Sequence, residues 1–209
     1  MTKKNLILAI VAAILVPLIL FIGYLIYSNQ KIMPGMKGIS KMNVGVFYCT
    51  YNNDNIPKFA DMIKSRLNAK VYQIDAAVPY PKDPDAFIKR IKEENKAVEK
   101  LTLRPYDIDL KKIDYMIFAT AVYDDQPCPA LKKFVIDNQD LFNNKFVSVM
   151  VLHKDKEIPA NTVLFFSRKF YKAIWKPAFI TKMKDMKQLN YEFDLWFNLM
   201  QFKRKELRK

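Results

Sequence analysis

From Asn43 onward the chain alternates short, almost unbroken apolar runs with longer stretches of helical period, and that alternation leaves few folds open. Asn43-Val-Gly-Val-Phe-Tyr48 is apolar on successive positions, the pattern of a strand buried on both faces of a parallel sheet. Val71 to Ile74, Tyr115 to Ala119, Phe146 to Leu152 and Ala178 to Thr181 give four more strands. Between them, Pro57 opens a helix whose Phe59, Ile63 and Leu67 share one face. Asp83-Pro84 combines a capping side chain with a proline suited to a first turn, and the helix it opens aligns Phe87, Ile91 and Val98. Further helices are predicted around Leu131, Phe134 and Val135, over Pro159 to Lys172, and over Asn190 to Lys205. Strands that alternate with helices predict an α/β domain, a five-stranded parallel sheet flanked by helices.

The first thirty residues are of another kind. Asn5 to Gln30 carries no charge and is bounded by Lys4 and Lys31. Leu6 to Tyr27 alone, at about 1.5 Å rise per residue, is long enough for a hydrocarbon layer of roughly 30 Å. The run is too long for a signal-peptide core, and Tyr27-Ser-Asn-Gln30 offers no small-residue cleavage site. The expectation is one N-terminal transmembrane helix within residues 1–30, a tether over 31–42 with Pro34, Gly35 and Gly38, and one domain over 43–209. Lys3 and Lys4 on one side nearly balance Lys31, Lys37 and Lys41 on the other, so charge alone barely orients a single-pass protein. The expectation is a cytoplasmic-facing domain.

Rare residue types exclude several chemistries. The four glycines are Gly23, Gly35, Gly38 and Gly45, so there is no glycine-rich dinucleotide fingerprint and no Walker loop. His153 is the one histidine and has no second His or Cys beside it, so no metal site is expected. Of 35 basic residues Lys3 and Lys4 precede the span; the other 33 against 21 acidic ones leave the rest at +12. No zinc finger or basic-aromatic motif accompanies that charge, so nucleic acid is not an expected partner. Attraction to an anionic leaflet and a plain solvated lysine-rich surface both stay open.

In a parallel sheet of this kind ligands sit at the carboxyl ends of the strands, where strand order reverses. Three loops are singled out: Cys49 to Ile56, Thr120 to Pro129, and His153 to Pro159. The first, Val44-Gly-Val-Phe-Tyr-Cys-Thr-Tyr-Asn-Asn-Asp-Asn55 followed by a helix, resembles the first strand and phosphate loop of flavodoxin-like proteins. Tyr80-Pro-Lys-Asp83, Leu110-Lys-Lys-Ile-Asp-Tyr-Met-Ile-Phe-Ala119 and Ala121-Val-Tyr-Asp-Asp-Gln-Pro-Cys-Pro-Ala-Leu-Lys-Lys-Phe134 are similar to later stretches of that family. Ser148-Val-Met-Val-Leu-His-Lys-Asp-Lys156, Ser167-Arg-Lys-Phe170 and the aromatic closing helix resemble its quinone-linked protoporphyrinogen oxidase branch. The resemblance spans roughly residues 43 to 202. It implies a flavodoxin-like fold, non-covalent FMN, and electron transfer with a redox protein or quinone at the membrane.

On that resemblance Thr50, Tyr51, Asn52, Asn53, Asp54 and Asn55 stand where the family holds the FMN phosphate. Backbone N–H groups at a helix N-terminus can grip a phosphate without a cation. Asn53 replaces a glycine with the residue that best tolerates a left-handed backbone, while Asp54 sets a negative charge near a dianion. The same letters also suit ordinary capping. Ala121, Val122, Tyr123 and Asp124 match the second flavin loop. Tyr123 stands at the position of an aromatic ring against the isoalloxazine, and Asp124 and Asp125 place negative charge beside it. His153 would open the third loop, its backbone bordering the ring, its side chain an exposed polar group in the ordinary case. No catalytic residue can be named.

Cys49 and Cys128 both fall in these loops. Two unrelated cysteines, one partly buried, is the ordinary expectation, with a dithiol pair near one pocket as the alternative if the first and third strands are neighbours. The closing helix sets Leu189, Phe193, Trp196, Phe197 and Met200 on one face and Tyr191, Leu195, Leu199 and Phe202 roughly opposite, so it is buried twice or meets lipid or a partner. Two functions from different classes remain: a membrane-anchored FMN electron carrier or oxidoreductase, and a flavin-free module that kept the sheet as a membrane-tethered binding partner.

Overall fold

Alternating apolar positions on the central strands divide the interior into two cores, one on each face of the sheet. A computed structural model describes residues 42–50, 55–154, 158–182 and 186–200. The anchor predicted over 1–30 and all but the last residue of the tether lie outside those residues, as do Tyr51 to Asp54. Among the described residues no helix is long and apolar enough to cross a membrane.

The strands are β1 (Val44–Cys49), β2 (Lys70–Gln73), β3 (Tyr115–Tyr123), β4 (Gln126–Pro127), β5 (Phe146–His153), β6 (Ile174–Trp175) and β7 (Phe179–Lys182). The helices are α1 (Asn55–Leu67), α2 (Pro84–Lys96), α3 (Pro129–Asp137), α4 (Ala160–Lys169) and α5 (Met186–Met200). Sheet order is β2-β1-β3-β5, with β6 and β7 both pairing parallel to the far side of β5. Strand order reverses between β1 and β3, which pair from Val44↔Tyr115 to Cys49↔Thr120. Val44, Val46, Ile117, Ala119, Met150 and Leu152 face a core closed by Ile56, Phe59 and Ile63 of α1 and by Leu189, Phe193 and Trp196 of α5. Phe47, Cys49, Met116, Phe118, Val149 and Val151 face the other, closed by Leu131 and Phe134 of α3 and Phe166 of α4. At roughly 1.5–3 kcal/mol per buried large apolar side chain, these two faces are the main source of cohesion.

Local signals place the element ends. Asp83 caps α2, its Oδ1 accepting from Ala86 N at 2.8 Å, with Pro84 in the first turn. Gly45, the one glycine among the described residues, sits where a Cβ would lie 2.9 Å from Ile113 Cδ1 and 3.1 Å from the Phe47 ring. Positive φ is taken by Asn68, Asp124, Asp125 and Asn144 instead, residue types that tolerate it.

The sheet differs from the five strands expected. Its fifth position is split into β6 and β7, with Lys176-Pro177-Ala178 between them. Proline has no N–H for the ladder. The Pro177 carbonyl instead accepts from Ser148 Oγ at 2.6 Å and from Trp196 Nε1 at 2.7 Å, so the break is pinned by β5 and α5. The closing helix buries Leu189, Phe193, Trp196 and Phe197, while Tyr191 and Leu195 are exposed.

Candidate functional site

Parallel pairing brings the carboxyl ends of β1, β3 and β5 to one rim, at the β1/β3 reversal where this topology accepts ligands. Thr50 follows β1 directly, and Asn55 is the first residue of α1. The four residues between them, Tyr51, Asn52, Asn53 and Asp54, are outside the described residues. What the structure places is the frame of that loop: a buried strand end, four residues, then a helix of 13 residues with no acidic side chain in its first turn. A helix N-terminus carries partial positive charge from its unpaired N–H groups.

The second loop is not an open loop. β3 runs four residues further than expected, so Ala121, Val122 and Tyr123 are strand residues, paired on one side with β5 or, at Val122 and Tyr123, with β4. Asp124 and Asp125, both at φ 54°, make the two-residue turn of the β3–β4 hairpin. Positive φ at both central positions is the backbone that fits the right-handed twist of a hairpin, and Asp is among the few side chains that accept it. Both aspartates have partners within the protein. Asp124 Oδ1 lies 3.8 Å from Lys92 Nζ. Asp125 Oδ2 accepts from Asn161 N at 3.2 Å and Asn161 Nδ2 at 2.6 Å, and its carbonyl accepts from Thr162 Oγ1 at 3.1 Å. A carboxylate from the hairpin thus serves the N-terminus of α4. The Tyr123 ring is half-buried and meets Phe87 of α2 edge-on, centroids 5.6 Å apart.

His153 also differs from expectation. It is the last residue of β5, opposite Lys182 of β7, and it is 6% exposed rather than an open loop side chain. Its Nδ1 is buried with no hydrogen-bond partner among the described residues. A buried imidazole nitrogen left unpaired costs free energy, on the order of 1–3 kcal/mol, unless something binds it. Asp155, next in that loop, is outside the described residues.

The cysteines overturn the ordinary expectation for them. Both are fully buried and joined as a disulfide, Cα–Cα 6.0 Å, across a sequence separation of 79. Thr120 sets the geometry. It is Cys49's partner in the β1–β3 register, and its Oγ1 accepts from Cys128 N at 3.0 Å. The bridge therefore joins the strand that leads into the first loop to the residue that begins α3 after the second. The adjacency follows from β1 lying next to β3; Thr120 carried no signal in the sequence.

Sequence reasoning also missed a cleft of about 400 Å³ beside this rim, at the ends of β1 and β2. Thr50, Gln73, Asp75, Tyr80, Lys82 and Arg104 are among its lining residues. Asp75 holds Gln73 Nε2 at 3.0 Å and Arg104 Nη1 at 3.5 Å, so much of that polarity is internally paired. Deeper on the same side, Tyr80 hydroxyl donates to Glu94, and Arg90 Nε lies 2.8 Å from Glu94 Oε1. Burial raises the Glu94 carboxyl to about 7. A larger cavity of about 580 Å³ lies at the opposite end of the sheet, by Asn43, Lys70 and Asp109, away from the ligand rim. Among the described residues no group of His, Cys, Asp or Glu could hold a metal ion.

No protein-family model matches the chain, and no curated protein matches it in sequence. Solved structures do. A flavoprotein of Lactobacillus acidophilus NCFM in complex with FMN is 12% identical at TM-score 0.59, the match covering 75% of this chain and 99% of that one. The apo-form of the flavoprotein from the same organism is 12% identical at 0.51, covering 78% and 99%. A flavodoxin of Streptococcus pneumoniae TIGR4 is 15% identical at 0.51, covering 75% and 96%. At such identities the likeness concerns the fold, and the fold is flavodoxin-like.

Proposed function

We propose that this chain is a membrane-anchored flavodoxin-like protein that binds FMN non-covalently and passes electrons to or from a membrane partner or a lipid-dissolved quinone. The observation that carries the reading is His153. A buried imidazole nitrogen without a partner stands at the carboxyl end of β5, on the rim where β1 and β3 also end. A polar ring edge there would satisfy it. Thr50 and the first N–H groups of α1 would hold the phosphate. Tyr123 would border the ring system. When bound, the flavin supplies the electron-transfer chemistry. The chain's part is to bind it, orient it and keep water from its edge. The Lactobacillus acidophilus flavoprotein, in its FMN-bound and apo structures, and the flavodoxin with this fold support the reading. The narrower likeness to quinone-linked protoporphyrinogen oxidases rests on the sequence pattern of the C-terminal part alone.

The uncharged run from Asn5 to Gln30 supports a single span, which would raise effective concentration near membrane partners. The Cys49–Cys128 bridge favours an oxidising side of the membrane over the cytoplasmic side, because such bridges are rare where thiols are kept reduced.

The test is direct. The purified full chain should carry visible flavin absorbance or acquire it with added FMN. Tyr123→Ala should weaken FMN binding by about twofold to twelvefold, the worth of one aromatic contact of about 0.5–1.5 kcal/mol. Asp54→Gly should tighten it. A colourless chain with no affinity for FMN would leave the second reading, a flavin-free module acting as a membrane-tethered partner. One observation favours that alternative: the Tyr123 ring already packs on Phe87, and the hairpin beside it is held at both aspartates.

A further inference from the structure

The margin of the sheet at β6 exposes large apolar side chains among positive charge. Tyr171 is 62% exposed, Trp175 40%, Ile174 39%, and Leu164 on α4 46%. From Ile158 to Lys184 the sequence has no Asp or Glu, while Arg168, Lys172 and Lys182 are exposed in the same stretch. Leu164 and Arg168 stand four residues apart on α4 and so share a face, and Tyr171 follows just after the helix ends. β6 is the outermost strand on this side of the sheet. The Trp175 indole N–H donates inward to the Phe170 carbonyl at 3.2 Å, so the ring's polar atom is satisfied and its hydrocarbon can leave water without losing a hydrogen bond. Lys172 Nζ lies 5.2 Å from the Tyr171 ring centre and Lys176 Nζ 5.1 Å from that of Phe146, so aromatic and cationic groups are interleaved.

We propose that the α4–β6 margin, through Leu164, Tyr171, Ile174 and Trp175 with Arg168 and Lys172 around them, docks on an anionic lipid surface. Aromatic rings with an apolar body and a satisfied polar atom settle at the headgroup level, and lysine and arginine beside them meet lipid phosphates. The charge complementarity is one-sided, because a run without acidic side chains repels neither headgroup nor leaflet. The span of the proposed anchor ends a dozen residues before Met42, which at about 3.5 Å per residue keeps the domain within roughly 40 Å of the bilayer. The inference rests on that anchor only for delivering the domain to the membrane.

The full chain is incorporated into bilayer discs containing brominated phosphatidylcholine, with or without phosphatidylglycerol, and tryptophan quenching is read. The two tryptophans separate the contributions, since Trp196 is buried at 3% exposure. Quenching should appear in the anionic discs, vanish in Trp175→Phe, and fall to the neutral-disc level in Arg168→Gln with Lys172→Gln. Absence of quenching in anionic discs, equal quenching in neutral ones, or a concentration-dependent dimer that Trp175→Ala abolishes without any lipid signal would overturn the proposal. If the chain fails to enter the discs, the anchor falls alone. In that case salt-sensitive sedimentation with phosphatidylglycerol vesicles supports the surface, and its absence overturns it.

Discussion

The β1–β3 junction at the centre of the sheet and the β6–β7 margin at its edge are built in opposite ways. At the junction every described side chain from Met116 to Ala121 is buried, a disulfide crosses from β1 to the start of α3, and the hairpin after β3 is tied to α4. At the margin one strand position is divided by Pro177, aromatic rings face outward, and polar atoms hold the break in place. Interior order is concentrated at the rim where the three candidate loops begin. The edge, which cannot be buried on both sides, carries surface instead.

That contrast can be broken most severely at the bridge. Replacing Cys49 and Cys128 by serine, or reducing the native protein, should cost about 4.5 kcal/mol, the chain-entropy value for a closed loop of this separation. Denaturant unfolding with and without reductant measures it, and an unchanged midpoint would mean the junction is no more constrained than the margin. Asp125→Ala should cost about 1–2 kcal/mol, because the backbone and side-chain N–H groups of Asn161 in the first turn of α4 lose their acceptor. Asp125→Asn should recover part of this in the same assay.

A smaller effect should come from Lys176, whose amine is pushed down to about 8 by burial. The ordinary lysine value is about 10.5, so the folded state holds fewer protons than the unfolded state between those limits. Stability from this group is therefore present above about 10.5 and lost as pH falls through about 8. Lys176→Met should stabilise the domain most near neutral pH, with the gain shrinking toward pH 10 in paired thermal melts. The smallest effect should be that of Tyr171→Ala on folding itself, within about 0.5 kcal/mol for a side chain that is 62% exposed. A large loss there would make the margin a structural element and dissolve the contrast.

Much of this was legible residue by residue. Asp83-Pro84 marked the start of α2 because a cap is a contact between near neighbours in the chain. Nearly unbroken apolar runs in β1 and β5 announced strands buried on both faces. Asp124-Asp125 was visible as a polar pair but not as a hairpin turn, because its partner strand is two residues long and has no period of its own. Pro177 was equally visible. That β6 would form ahead of it depends on Val147 and Phe146 offering a ladder, which lies 28 residues away from Ile174 and Trp175. His153 looked like a loop residue because a strand's last position is set by what pairs with it, here Lys182. The loop over Tyr51 to Asp54 stays a matter of sequence resemblance.

By itself the sequence determined the α/β class, the buried faces of strands and helices, and most helix starts, since all of these depend on neighbours within about four positions. The tertiary structure decided that Cys49 and Cys128 join, that Asp125 serves α4, and that an imidazole is shut away on the rim where β1, β3 and β5 end. Those are meetings between residues dozens of positions apart, and only the order of strands in the sheet determines which of them occur.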